Sequence, residues 1–158
     1  MQRKMTVEEV ARAVYEVHAA YAPSIGEKYD AWEEAPPWKL RPLLVNVARL
    51  IRNPAITPEL LHELWMAEKA HDGWRFGPEK DAEAKTHPLM VPWGQVPEHQ
   101  RMKDVILWNV VATLRPVADI GGTGTPTGDT ERASNSGPAV GQNFAGPVHI
   151  ATLNTYQL

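Results

Sequence analysis

The sequence predicts a mainly α-helical protein, with a compact helical domain followed by a flexible C-terminal tail. Apolar residues recur at helical spacing in four separate stretches before Pro116. All six tryptophans and 15 of the 16 basic residues also lie before Pro116, whereas seven of the 11 glycines lie after it. We therefore expect a domain at residues 5–116, a flexible linker at 117–133 and a short, low-charge segment at 134–158.

The first helix is predicted to begin after Thr6. Thr6 and Glu9 have the spacing of a capping box, in which each side chain accepts a hydrogen bond from the other residue's backbone N–H. The apolar residues that follow share one helical face: Val7, Val10, Val14, Val17 and Tyr21. Pro23 predicts the end of this helix, because proline cannot continue it.

The next two helices are predicted from proline and threonine positions. The second is expected to begin near Arg41, because Pro42 is tolerated in a first helical turn, and to end at Asn53-Pro54. The third is expected to begin after Thr57, a favourable N-cap residue, with Pro58 at its first position.

The fourth predicted helix spans residues 101–114 and is apolar around most of its circumference. Its apolar residues are Val105, Ile106, Leu107, Trp108, Val110 and Val111. A helix of this kind is typical of a buried, central position, so we expect it to form the spine of the core.

Two patterns repeat along the chain and predict two similar halves related by a pseudo-twofold axis. The pattern WxxAP at residues 32–36 recurs as WxxVP at residues 93–97, and a predicted helix follows each. Thr6 corresponds in the same way to Thr57. The second half then contains about ten additional residues, which lie in a structured loop at residues 74–87, where short strands could form.

The stretch around this loop resembles a ryanodine receptor repeat domain, a module found in tandem in the animal calcium-release channel and alone in bacterial and phage proteins. The matching residues are His62-Glu63, Trp65, Lys69, Gly73-Trp74, Phe76-Gly77-Pro78, Lys80-Asp81, Lys85, His87-Pro88, Val91-Pro92-Trp93, Val96-Pro97, Arg101 and Lys103-Asp104. They span roughly a third of the chain. The resemblance implies a compact helical fold and a nucleotide-like ligand, because a pair of these repeats in the receptors is associated with an adenine nucleotide.

Aromatic and basic residues in the loop predict a ligand site. Trp74 and Phe76 flank Arg75, so in an extended segment they point to the same side. They either fill the core beneath the loop or form a platform for a flat ligand. The candidate binding residues are His62, Trp65, Trp74, Phe76, Lys80, Asp81, Lys85, His87 and Arg101, with Trp32 at the related position of the first half. The basic members are either solvated or bind the anionic part of a nucleotide.

Several of these residues also have a structural interpretation. We expect His62 and His87 to form hydrogen bonds with the loop backbone, and Asp81 to cap a turn. The histidines lack the HExxH spacing of a zinc site and the chain contains no cysteine, so we expect neither a metal nor a cofactor.

The favoured function is a non-enzymatic module that senses or sequesters a nucleotide-like ligand, in a bacterial or phage conflict or signalling system. There is no GxSxG motif and no Gly-rich phosphate loop with its lysine. One alternative is a protein-interaction adaptor whose loop binds a partner surface and whose C-terminal segment recruits another protein by amyloid-like β stacking. Another is an acid–base hydrolase of a nucleotide that uses Glu63, Asp81 and His87.

Charge and hydropathy exclude two other classes. A net charge of −3 argues against general nucleic-acid binding. No apolar run reaches the roughly 20 residues that a membrane helix needs, and the N-terminus lacks the apolar stretch of a signal peptide, so we expect a cytoplasmic protein.

The final segment, Ser136–Leu158, is low in charge and contains the β-prone window VHIATL. Its glycine and amide pattern resembles the short amyloid signalling motifs at the ends of bacterial defence proteins. We expect it either to bind another protein by β stacking or to be a disordered end.

Overall fold

The computed structural model describes residues 2–120, and within them four α-helices build the fold. The helices are α1 Val7–Tyr21, α2 Pro37–Arg52, α3 Pro58–His71 and α4 Glu98–Leu114. Short 3₁₀ helices lie at Ala22–Ile25, Trp32–Glu34, Trp93–Gln95 and Arg115–Val117. Two short strands, β1 Arg75–Phe76 and β2 Thr86–His87, pair in parallel between α3 and α4. The prediction of a mainly helical domain with a structured loop is confirmed.

Two helices begin where side-chain caps predict. The Thr6 hydroxyl accepts a hydrogen bond from the Glu9 N–H at 3.2 Å, and the Glu9 carboxylate accepts one from the Thr6 N–H at 2.8 Å. Thr57 caps α3 by accepting from the Leu60 N–H at 3.2 Å. Both predicted starts are confirmed, because capping depends on residues close together in the chain.

The predicted starts of the other two helices are wrong by one turn. Helix α2 begins at Pro37 rather than near Arg41, and Pro42 lies buried inside the helix. Helix α4 begins at Glu98 rather than Arg101, directly after Pro97. The N–H groups of a first helical turn have no partner within the helix, so a proline at or just before the first position costs no hydrogen bond. Pro37 and Pro97 occupy such positions.

Helix α4 is central, as predicted, because it packs against α1, α2 and α3. Leu107 and Val111 on α4 are buried, but the remaining apolar residues of this helix are only partly buried. The Trp108 indole N–H reaches the Ile56 carbonyl at 2.8 Å. The main core joins buried residues from all four helices: Val10, Ala11, Val14, Val47, Leu50, Ile51, Leu61, Leu107 and Val111.

The repeated tryptophan patterns fold in the same way. Trp32 and Trp93 each begin a three-residue 3₁₀ helix, which we call the Trp32 turn (Trp32–Glu34) and the Trp93 turn (Trp93–Gln95). Each turn ends in an extended residue with nearly equal backbone angles, φ −66° and ψ 129° at Ala35 and φ −66° and ψ 131° at Val96. A long helix follows both, so the predicted local repeat is present in the backbone.

The two ends of the described chain meet. The Met5 N–H donates to the Val117 carbonyl and the Asp119 N–H donates to the Met5 carbonyl, both at 2.8 Å. Ala118, between them, is buried in the core, two residues beyond the predicted domain boundary at 116. The segment from residue 121 onward, including the predicted assembly segment Ser136–Leu158, lies outside the described residues.

No helix in residues 2–120 combines the length and apolar character needed to cross a bilayer.

Candidate functional site

The end of α3 turns the chain back onto the helix. Gly73 adopts φ +84°, a left-handed conformation that glycine reaches without strain. The Trp74 N–H then donates to the Lys69 carbonyl at 3.0 Å. This turn places the Trp74 indole beside the side chain of Lys69, which belongs to the last turn of α3.

The two short strands hold the loop against this turn. The Arg75 N–H donates to the Lys85 carbonyl at 2.9 Å, and Phe76 pairs with His87. A side chain at Gly77 would meet Thr86, because a Cβ built there would lie 2.6 Å from the Thr86 Cβ. Glycine at this position therefore lets the strands approach closely.

The segment between the strands is closed by local hydrogen bonds. The Asp81 carboxylate accepts from the N–H groups of Glu83 at 2.9 Å and Ala84 at 3.0 Å. The predicted capping role of Asp81 is confirmed. Lys85 adopts φ 54° and its ammonium donates to the Asp72 carbonyl at 2.7 Å. Both side chains thus shape the loop.

Five rings form a continuous aromatic row beneath the loop, in the order Trp74, His87, Trp65, His62 and Trp93. The ring centroids of neighbours lie 6.4, 5.0, 5.5 and 5.7 Å apart along this row. Trp65 is almost fully buried, whereas Trp74 and Trp93 at the two ends are partly exposed. The row therefore runs through the protein interior from the surface at Trp74 to the surface at Trp93.

The two histidines of the row fix the loop backbone, as predicted. The His62 Nε2–H donates to the Val91 carbonyl at 2.7 Å, and His87 Nδ1 accepts from the Leu89 N–H at 3.1 Å. Burial lowers the pKa of both histidines, and the charges of Lys80 and Lys69 help to bring that of His87 to about 4. His87 is therefore neutral near pH 7, with its proton on Nε2.

A buried cation lies at the outer end of the row. The Lys69 ammonium is 4.2 Å from the centroid of the Trp74 ring, and the residue is only 2% exposed. Burial, together with the nearby charge of Lys80, lowers the Lys69 pKa to about 8. Within residues 2–120, no carboxylate forms an ion pair with Lys69 or Lys80. The neighbouring acid Glu68 pairs with Arg49 at 3.1 Å, and the charges of Asp72 and Glu68 partly offset the lowering of the Lys69 pKa.

The structure brings together some predicted site residues and separates others. Trp74 lies over the Lys69 ammonium and beside His87, and Trp65 and His62 continue the row of rings from His87. The charge of Lys80 acts on this cluster by lowering the pKa of both Lys69 and His87. The remaining candidates contribute little to this cluster: Phe76 is 57% exposed, Lys85 and Asp81 are used in the loop, and Trp32 packs on Tyr15 in the first half with ring centroids 5.4 Å apart.

Arg101 lies at a different place. It lines an open cavity of about 260 Å³ at the start of α4, at the Trp93 end of the aromatic row. The other residues of this cavity are Trp93, Glu98, Met102 and Val105.

Lys69 is absent from the predicted site, although it contacts Trp74 directly. A lysine on a helix is usually solvated, which is why sequence reasoning passes over it. The available signal is its spacing: Leu61, Trp65 and Lys69 follow one another at intervals of four residues, so Lys69 continues the buried stripe of α3.

The sequence profile of the RyR domain matches residues 45–123, which is half of the chain and contains α3, the loop and α4. The chain belongs to the RyR domain family. The matched region of this RyR domain protein includes the whole aromatic row and the Lys69 cluster. No solved structure matches the chain.

Proposed function

We propose that this RyR domain protein is a non-enzymatic module that binds an anionic, nucleotide-like ligand at Lys69 and Trp74. The observation that carries the proposal is the Lys69 ammonium, buried against an indole ring without an ion-pair partner among residues 2–120. We place the module in a bacterial or phage conflict or signalling system, where it senses or sequesters this ligand.

The energetics of a buried ammonium support a ligand. Moving a charged group out of water is costly unless a carboxylate or several hydrogen bonds compensate it. At Lys69 the face of Trp74 provides a cation–π contact, which contributes about 0.5–2 kcal/mol, and the nearby charges of Asp72 and Glu68 also favour the ammonium without forming an ion pair with it. Burial outweighs these contributions and lowers the Lys69 pKa to about 8. An anion bound at this position would add further compensation.

Trp74 supports a flat group on the ligand. One face of its indole is covered by Lys69, and the side chain is partly exposed. A base that stacks on the other face would gain about 1–3 kcal/mol, in addition to the attraction between the ammonium and a phosphate. Ring and cation together therefore fit the two chemically different parts of a nucleotide.

The same residues favour binding over acid–base catalysis. Asp81 accepts two backbone hydrogen bonds within the loop. His87 has a pKa of about 4, so it is a weak base near neutral pH. The adaptor hypothesis depends on Ser136–Leu158, which lies outside the described residues, and it stays a prediction, as does a cytoplasmic location.

Isothermal titration calorimetry against linear and cyclic nucleotides tests the proposal. The best nucleotide should bind Trp74→Ala at least tenfold more weakly than the parent. Trp38→Ala is the matched control, because Trp38 is an exposed tryptophan on α2 and its loss should leave affinity unchanged. Absence of binding by every nucleotide, or equal affinities of the parent and Trp74→Ala, would contradict the proposal.

A further inference from the structure

We infer that Lys69, Lys80 and the Nε2–H of His87 form a subsite for a doubly charged phosphoryl group, so that the site prefers a phosphate monoester to a phosphodiester. The inference rests on the proposed function, because it concerns the anionic part of the same ligand. It adds the charge and chemical class of the group that the site selects.

His87 contributes a hydrogen-bond donor that no residue among 2–120 accepts. Its Nδ1 accepts the Leu89 N–H, so the proton of the neutral ring is on Nε2. His87 is 1% exposed, and its Nε2 atom has no hydrogen-bond partner among the described residues. Buried polar groups are almost always hydrogen-bonded, so an unpartnered donor at this depth indicates a ligand or an ordered water.

Lys69 and His87 both lie beside Trp74: the Lys69 ammonium is 4.2 Å and the His87 ring centroid 6.4 Å from the centroid of its ring. The charges of both Lys80 and Lys69 lower the His87 pKa, and the charge of Lys80 lowers the pKa of Lys69. The two ammonium groups repel each other and form no ion pair among residues 2–120, although the nearby charges of Asp72 and Glu68 favour the charged form of Lys69. An anion between them would convert this repulsion into two attractive interactions.

The charge and geometry of a phosphate monoester match this set of donors. A phosphate monoester has a net charge of about −1.5 to −2 near pH 7 and three strong acceptor oxygens, as phosphorylated side chains do. Two ammonium groups and one imidazole N–H supply two positive charges and three hydrogen-bonding groups, one for each of the three oxygens. A phosphodiester or a carboxylate carries a single negative charge, so it leaves one of the ammonium charges uncompensated.

The proposed preference concerns the phosphoryl group alone, so simple esters can test it without a base. Methyl phosphate and dimethyl phosphate differ in charge and only slightly in size. Each is titrated into the full chain at pH 7.5 and constant ionic strength, and binding is measured by thermal shift and by the ¹⁵N-detected signal of the His87 Nε2–H. Methyl phosphate should stabilise the protein and shift the His87 signal, whereas dimethyl phosphate should need at least tenfold higher concentration for the same effect.

Two variants and one control assign the effect to the subsite. Lys69→Met should abolish the response to methyl phosphate, and Lys80→Gln, which changes an exposed side chain, should weaken it at least fivefold. Lys39→Gln is the matched control, because the Lys39 ammonium also lies over a ring, 5.0 Å from the Tyr29 centroid, but in the first half. It should respond like the parent.

The outcomes separate this inference from the proposed function. Equal responses to the two esters, or an unchanged response in Lys80→Gln, would overturn the phosphoryl subsite. A nucleoside that binds at Trp74 while methyl phosphate does not would overturn it too, and would keep a flat-ligand site. Methyl phosphate binding without any nucleotide binding would support the subsite and contradict the nucleotide proposal.

Discussion

The two halves of the domain, which contain the Trp32 turn and the Trp93 turn, share a backbone pattern, but the buried lysine in each has a different partner. Lys103 of α4 is 1% exposed and faces the first half, where its ammonium pairs with Glu27 at 2.6 Å. Lys69 of α3 is buried to the same degree in the second half, where its ammonium lies over Trp74. Burial lowers the pKa of both lysines, but only at Lys103 does a paired carboxylate offset the effect.

This difference concerns the surroundings of the two buried lysines. In the first half, Tyr29 packs on Tyr15 beside the Trp32 turn, with ring centroids 5.2 Å apart, and Glu27 neutralises the buried lysine. In the second half, the loop at 74–87 brings Trp74 over Lys69 and adds the charge of Lys80, while Asp72 and Glu68 favour the Lys69 charge without forming an ion pair with it. The first arrangement contains an ion pair, whereas Lys69 forms none among residues 2–120, and this is why we propose the ligand site there.

The largest expected effect comes from breaking the ion pair of the first half. Glu27→Gln should lower the free energy of unfolding by about 3 kcal/mol, because it leaves the buried Lys103 ammonium without its paired carboxylate. Urea unfolding at pH 7 measures this value. The exposed pair Arg12–Glu33 is the control, and Glu33→Gln should change stability by less than about 1 kcal/mol. Similar values for the two variants would show that the Lys103 pair does not stabilise the first half.

An intermediate effect is expected from acid. His18 in the first half and His87 in the second each have a pKa lowered to about 4, mainly by burial. An imidazole ordinarily titrates near 6.5, so the unfolded chain binds more protons than the folded one between these values. The stability that the neutral rings contribute is therefore complete above about pH 6.5 and is lost as pH falls towards 4.

Unfolding free energies measured from pH 7 to pH 4 test this expectation in both halves. Each buried histidine should account for a loss on the order of 2 kcal/mol, so His18→Gln and His87→Gln should each have a flatter pH profile than the parent. His99→Gln, which changes an exposed ring, should keep the parent slope. Parallel profiles for all four proteins would mean that the buried rings do not control acid stability.

The smallest expected effect compares the two capped helices. Thr6→Ala and Thr57→Ala should each destabilise the fold by about 1 kcal/mol, since each removes the acceptor of one helix N-terminal N–H. Thr6→Ala should have the larger effect, because it also disrupts the reciprocal bond of the capping box. Thermal unfolding by circular dichroism measures both. A larger effect at Thr57 would contradict the additional role of the capping box.

The sequence predicts a structural feature well when the residues that determine it lie close together along the chain. The N-termini of α1 and α3 are predictable because Thr6 and Thr57 act on backbone groups three residues away. The starts of α2 and α4 are predicted wrongly because a proline can either precede a helix or lie within it, and packing decides between these positions.

The site shows the same limit. Trp74, Lys80 and His87 are predictable because they crowd one short loop. The role of Lys69 is not, because only the return of the chain at Gly73 buries its ammonium beneath Trp74. The burial of this charge is a property of the folded loop, and no local pattern in α3 reveals which acids are paired elsewhere.

The most direct test of the account is the stability of Lys69→Met without ligand. Methionine fills a similar volume without the charge, and we expect it to raise the free energy of unfolding at pH 7 by about 1–2 kcal/mol, after the lost cation–π contact is subtracted.

The pH dependence of this difference identifies its cause. The folded Lys69 pKa of about 8 lies below the ordinary 10.5, so the unfavourable contribution of its charge is complete below pH 8 and disappears as pH rises towards 10.5. Urea unfolding of both proteins between pH 7 and 10.5 should therefore show an advantage for Lys69→Met that shrinks with pH. A variant that is less stable than the parent at pH 7 would show that the Lys69 charge stabilises the fold, and would contradict our proposal that this charge binds an anionic ligand.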